Sequence, residues 1–157
     1  MCYICATNAG NTILRAHYAF MAHRNGMPIS QLVSATSTDS SEDVAADDAV
    51  DAKQVAAMAL AEASSGTPST VSTVLVGLLM RQYSPAGVIE LIATVSLAFM
   101  YHRWTAIYMP KEYEPEVLKF VQKHGKALGL DPEHPCTEEQ AKWEDVAKDA
   151  RAASANE

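Results

Sequence analysis

From Ser84 to Tyr108 the chain is apolar on every side of a helical repeat, and nothing breaks the run before Pro110. Ser84 offers a side-chain oxygen to cap the start, and Pro85 suits the first turn, where no N–H is needed. A helix that is apolar all round belongs inside a protein, so the rest of the chain is expected to wrap it. Almost every other segment also has helical spacing, and no β-hairpin signal is present. The sequence therefore reads as an all-α bundle, with the helix from Pro85 to Tyr108 at its centre.

The surrounding elements follow from local signals. A first helix is expected from about Tyr3 to Asn25, with Ile13, Leu14, Tyr18 and Met21 at three- and four-residue spacing, stopped by Gly26. A short helix after Pro28 covers Ile29, Leu32 and Val33. Residues 34–48 are rich in Ser, Thr, Asp and Glu and read as a flexible acidic linker. Helix resumes near Asp48, with Val50, Val55, Met58 and Leu60 on one side, and breaks at Gly66 to Ser69. The segment from Val71 to Tyr83 is apolar nearly all round and is expected to be buried. A polar helix from Pro115 closes at Gly129. Residues 1–130 make one helical domain on this reading. Residues 131–157 form a C-terminal helical extension, which starts at Thr137 with Gln140 at capping-box spacing and ends in a frayed tail.

Bulk properties narrow the function. The 157 residues suit a single domain with a real core, and a formal charge of -7 argues against nucleic acid or an anionic membrane as partner. Three cysteines make no disulfide framework. Cys136, in a Pro-Glu-His-Pro-Cys turn, is expected to be an exposed free thiol. No basic, apolar leader precedes the first cysteine. The longest apolar run, Val88 to Tyr101, is about fourteen residues and contains Glu90, short of the roughly twenty that a membrane span needs. A cytoplasmic protein without membrane contact is expected.

The chemistry concentrates in Cys2-Tyr3-Ile4-Cys5, which runs directly into helix. A thiolate is the nucleophilic form of cysteine, and the unpaired N–H groups of a helix N-terminus favour it. One sulfur of such a pair can attack an electrophile and the other can resolve the adduct. Two plainer readings stand beside this one: ordinary thiols at a chain end, or half of a metal site. Zinc would need two more ligands, and no second Cys-x-x-Cys is present, although His17 and His23 could contribute. On a continuous first helix His17 lies about 18 Å along the axis from Cys5, too far to serve it as a base. A histidine for the thiols must then come from another element, and His102 is the one to examine. Glu90, His102 and Arg103 are polar residues of the most apolar helix; Glu90 and His102 lie about 18 Å apart along it, too far for one dyad, and structural ion pairing is the favoured reading over a proton relay. Asn8 can hold a peroxide or a water but cannot take its proton.

Several stretches together resemble one family. Ser84-Pro85-Ala86-Gly87-Val88-Ile89-Glu90-Leu91, with Ala98 to Trp104 at the far end, resembles the core helix of the AhpD-like alkylhydroperoxidase and carboxymuconolactone decarboxylase superfamily. Gln54 to Ala59 is similar to its alanine-rich penultimate element, Tyr113 to Phe120 to its tail helix, and Cys2/Cys5 to its dithiol. The resemblance covers most of residues 2–130. It implies an all-α bundle assembled as a homo-oligomer, a trimer or hexamer, and a thiol peroxidase needing no bound cofactor or metal. The substrate would be a small hydroperoxide and the reductant a dithiol or lipoylated protein. Cys5 would be the attacking thiol and Cys2 the resolving one. The family histidine four residues after the second cysteine is Ala9 here, and Tyr3 and Ile4 replace the residues between the cysteines. The family's upstream helices and relay glutamate have no counterpart ahead of Cys2, so a divergent member or a lost start is expected. Two alternatives carry different functions: a non-catalytic oligomerising module, and a decarboxylase-like enzyme that does not use its cysteines.

Overall fold

A computed structural model describes residues 1–36, 51–66, 69–108, 112–133 and 135. These form seven helices: α1 (Cys2–Asn8), α2 (Thr12–Arg24), α3 (Ile29–Ser34), α4 (Ala52–Ser65), α5 (Thr73–Gln82), α6 (Pro85–Tyr108) and α7 (Pro115–Leu128). No strand occurs among the described residues, and the fold is all-α. Most of the acidic linker, Cys136, the helix expected from Thr137 and the tail lie outside the described residues.

The helices pack around two apolar clusters. One gathers Ala16 and Ala19 of α2, Leu32 of α3 and Val117, Phe120, Val121 and Leu128 of α7, with Tyr3 reaching in from α1. The other gathers Ile4 and Cys5 of α1, Ala56, Leu60 and Ala61 of α4, Leu79 of α5 and Val88, Val95 and Ala98 of α6. Thus α1, only seven residues long, feeds both cores. The Arg15 guanidinium ties α2 to the end of α7 by donating to the Leu128 carbonyl, and it lies over the Tyr3 ring at 5.8 Å.

The expected first helix is in fact two. It breaks at Ala9-Gly10-Asn11, where Gly10 has φ 66°, a conformation that glycine adopts without strain. Asn11 restarts the chain: its side-chain oxygen accepts the Leu14 N–H at 3.0 Å and so caps α2. Other boundaries follow the sequence signals. Ser84 Oγ accepts the Gly87 N–H at the start of α6. The end of α7 is closed by Gly129 at φ 62° and by a Leu130 N–H to Gly125 carbonyl bond of 2.9 Å. Helix α4 starts at Ala52 with Asp51 as cap, and alanines dominate its buried stripe; Val55 is half exposed.

Helix α6 is not the buried centre that its composition suggests. Val88, Val95, Ala98 and His102 form its buried stripe. Ile89, Leu97, Met100, Trp104 and Ile107 recur on the opposite side and are 67, 49, 56, 65 and 86 % exposed. Helix α5 departs in the same way: only Leu79 is buried, and Val74 and Met80 face outward. Glu90 and Arg103 are both exposed, so neither is a buried charge in need of a partner. The apolar stretch is also longer than it looked. Pro85–Thr105 is long and apolar enough to cross a membrane by length and composition, the one such helix among the described residues, and only the Val88, Val95, Ala98 and His102 stripe of it is buried.

Candidate functional site

Cys2 and Cys5 lie in the first turns of α1, three residues apart and on one face. Positions so spaced on a helix stand about 5–6 Å apart at Cβ, within reach of a disulfide after a small adjustment. Both are free thiols, and their environments differ: Cys2 is half-buried and Cys5 fully buried. The Cys5 sulfur sits among Ala56, Leu60 and Ala61 of α4 and Val95 and Ala98 of α6, 4.0 Å from the Ala61 carbonyl. Burial, and then the neighbouring Cys2, push the Cys5 thiol above its ordinary pKa, while the N-terminal ammonium and then the Ser65 hydroxyl act in the other direction. Position near a helix N-terminus therefore does not make Cys5 a ready thiolate.

The break at Gly10 brings in a group that sequence reasoning missed. Because α2 packs back along α1, Tyr18 comes within electrostatic reach of the dithiol although thirteen residues separate it from Cys5 along the chain. Burial, then Cys2, Tyr101 and Cys5, push its phenol up to about 12. Tyr18 is therefore protonated at any physiological pH and is available as a hydrogen-bond donor. A continuous helix would have carried it well away from the thiols, so only the break could have signalled it.

Asn11 was also missed, although Asn-Thr ahead of Ile13 and Leu14 is an ordinary capping signal. Asn11 is 6 % exposed, and its Nδ2 donates to Thr105 Oγ1 at 2.7 Å. This bond fixes the end of α1 against α6. One turn before Thr105, His102 is also buried and lies on the stripe of α6 that carries Val95 and Ala98. Its ring meets that of Phe99 edge-on at 6.0 Å, and neither ring nitrogen has a hydrogen-bond partner. Burial lowers its pKa, so the ring is neutral at physiological pH.

The other candidates fall elsewhere. Asn8 and Ala9 are exposed at the end of α1, and Glu90 is on the outer side of α6. His23 belongs to the other cluster, where its ring stacks near Phe120 and His124 at 5.6 and 5.1 Å and its Nδ1 lies 3.1 Å from the Met27 carbonyl. His17 packs edge-on against Tyr18. Among the described residues no three His, Cys, Asp or Glu side chains converge on a point that could hold a metal.

No protein-family model matches this sequence, and no curated protein does. Two solved structures share the fold, both of the debrominase Bmp8. One is a cysteine-to-alanine variant in complex with 2,3,4-tribromopyrrole, at TM-score 0.63 and 22 % identity. The other is the apo protein, at TM-score 0.62 and the same identity. In each case the match covers 78 % of this chain and 62 % of the other, so the chain spans less than two thirds of the protein it resembles. An all-α chain with its dithiol in a short N-terminal helix thus has the fold of the debrominase Bmp8.

Proposed function

We propose that this chain is a dithiol oxidoreductase of the AhpD-like kind, which reduces small hydroperoxides through Cys2 and Cys5. The observation that carries this reading is the asymmetry of the pair. A half-buried thiol that solvent can reach stands one turn from a fully buried thiol held protonated. An attacking sulfur must meet its substrate, whereas a resolving sulfur must wait unreacted until its neighbour is oxidised. We therefore assign attack to Cys2 and resolution to Cys5, the reverse of the order that the family resemblance implies. The disulfide would be reopened by an external dithiol, a lipoylated protein in the family pattern. The test is hydroperoxide consumption by reduced protein. Cys2→Ser should abolish it, while Cys5→Ser should still consume one equivalent and leave a sulfenic acid on Cys2. One equivalent consumed by Cys2→Ser would restore the opposite order, and full consumption by both variants would remove the thiols from the reaction.

The likeness to a debrominase favours a second substrate for the same dithiol. A thiolate that attacks a peroxide oxygen can also attack a polarised bromine, with the aromatic carbon taking a proton and bromide leaving once the second thiol closes the disulfide. Incubation of reduced protein with 2,3,4-tribromopyrrole decides between the two: bromide release with no hydroperoxide turnover selects the second.

The same proposal includes assembly with further copies of the chain. The outer stripes of α5 and α6 leave on the order of 1,000 Å² of apolar side chain uncovered, above the roughly 800 Å² per partner of an ordinary interface and beyond the few hundred Å² usual on a monomer. Glu90 on that same helix is exposed and would stand about 7 Å from the middle of a span, where a charge is costly, which favours protein over lipid as the cover.

A further inference from the structure

We propose that His23 and His124 together hold a divalent transition-metal ion of the zinc class, which clips the end of α2 to the last turns of α7.

The two histidines come from opposite ends of the helical domain and meet where α2 packs on α7. His124 stands one turn beyond Phe120 on α7, and the Phe120 ring lies 5.6 Å from His23 and 5.3 Å from His124. That aromatic floor fixes both imidazoles in place. Their own ring centroids are 5.1 Å apart, with the planes inclined at 60°. A tetrahedral ion about 2.0–2.1 Å from one nitrogen of each ring would set the centroids about 5 Å apart. The pair therefore already has the spacing that a shared ion requires.

A second observation concerns which nitrogen is available. The His23 Nδ1 lies 3.1 Å from the Met27 carbonyl oxygen. A carbonyl only accepts, so Nδ1 carries the hydrogen and donates it, and Nε2 of the neutral ring is left bare. Metal-binding histidines are held in this same way, with the other ring nitrogen donating to a carbonyl or carboxylate that fixes the tautomer. Both rings are half-buried, so solvent reaches the site and water can complete the coordination.

The ligand set selects the ion. Two imidazoles without a thiolate or carboxylate suit zinc, copper or nickel and offer little to magnesium or calcium. No third His, Cys, Asp or Glu joins them among the described residues. Arg24 and Lys123, the exposed neighbours of the two ligands in sequence, oppose a cation. The affinity is accordingly well below that of a four-ligand structural site. What the ion contributes is a crosslink: it closes a long stretch of chain into a loop, the case in which a metal clip gains most. The site belongs to the cluster that does not contain Cys5, so it stands or falls independently of the dithiol reading.

The experiment titrates the full, reduced chain with zinc and follows the histidine ring signals by NMR and the melting temperature. The rings of His23 and His124 should shift together and saturate at one equivalent, while His102 stays unmoved. Zinc at about 100 times its Kd should raise the ratio of folded to unfolded chain about 100-fold, reversibly with EDTA. His23→Gln and His124→Gln should each weaken binding at least 10-fold, and the double variant should be little weaker than either. Should His23→Gln fail to fold, His124→Gln decides the matter, because a half-exposed ring on α7 can be replaced without opening the core. Zinc binding of wild-type strength in His124→Gln would overturn the proposal, as would a wild type whose two rings and melting temperature ignore zinc. Binding that survives in the histidine variants and is lost in the Cys2→Ser/Cys5→Ser chain would put the ion on the dithiol, and would overturn it too.

Discussion

Helices α6 and α7 use their apolar residues in opposite ways. Helix α7 spends a single stripe, Val117, Phe120, Val121 and Leu128, against α2 and α3, and its charged residues Glu116, Lys119, Lys123 and Lys126 are all exposed. Helix α6 carries twice the stripe: Val88, Val95, Ala98 and His102 inward, and Ile89 to Ile107 outward. The first pattern describes a helix completed by its own chain. The second describes a helix with apolar surface to spare, and the polar group within it, His102, is on the side that its own chain covers. Hydrophobicity thus states how much surface must be covered; periodicity states how many separate partners will cover it.

The contrast breaks most visibly at α7. Phe120→Ala removes a ring that is 7 % exposed and touches Phe20, His23 and His124, and should cost about 3–5 kcal/mol in urea unfolding. The outer stripe of α6 should behave otherwise. Met100→Lys combined with Ile89→Lys should change the unfolding free energy of the isolated chain by less than about 0.5 kcal/mol, as surface substitutions do. If the proposed assembly uses this stripe, the pair should nevertheless shift the protein to monomer in sedimentation, since charges at an interface core cost several kcal/mol; a wild type that already sediments as monomer would remove the assembly. A loss of monomer stability comparable with that of Phe120→Ala would mean that the outer stripe belongs to this chain's own core.

The smallest effect is on pH, and it separates the two histidines. Burial lowers the pKa of His102, and partial burial, Lys123 and His23 lower that of His124. A histidine depressed in the folded state contributes stability that is complete above its ordinary value of 6.5 and is lost as pH falls through the folded pKa. Cys5 has the opposite sign: its contribution is complete below 9.0 and is lost as pH rises through its higher folded value. Stability should therefore plateau between these limits and fall off on both sides. Thermal melts from pH 4 to 7 should show most of the acid-side loss removed by His102→Phe and little by His124→Gln, because the His102 ring is the more deeply buried.

Much of this fold was legible in the sequence, and the misses share a cause. Pro28, Ser84-Pro85, Pro115 and Gly129 marked their boundaries because capping chemistry is local. The break at Gly10 was hidden because apolar spacing runs on through it, from Ile4 and Cys5 to Ile13 and Leu14, and one glycine does not by itself end a helix. With that break went Tyr18, whose closeness to the thiols exists only after α2 has folded back. The dithiol was plain at once, but the burial that sets Cys2 apart from Cys5 comes from Ala61 and Ala98, far along the chain. The outward stripe of α6 was read as core because composition does not say whose surface will cover it.

The shortness of α1 has a consequence for time as well as for place. A seven-residue helix does not hold itself together in water; it persists only while α2, α4 and α6 grip it. Its opening is therefore a local event, far easier than global unfolding, and amide exchange at residues 2–8 would register it first. Any strain that a Cys2–Cys5 bond places on this turn is felt at once as a loosened grip. On the proposed function, oxidation and local melting of α1 would be one equilibrium, and a reductant would meet a site already partly open.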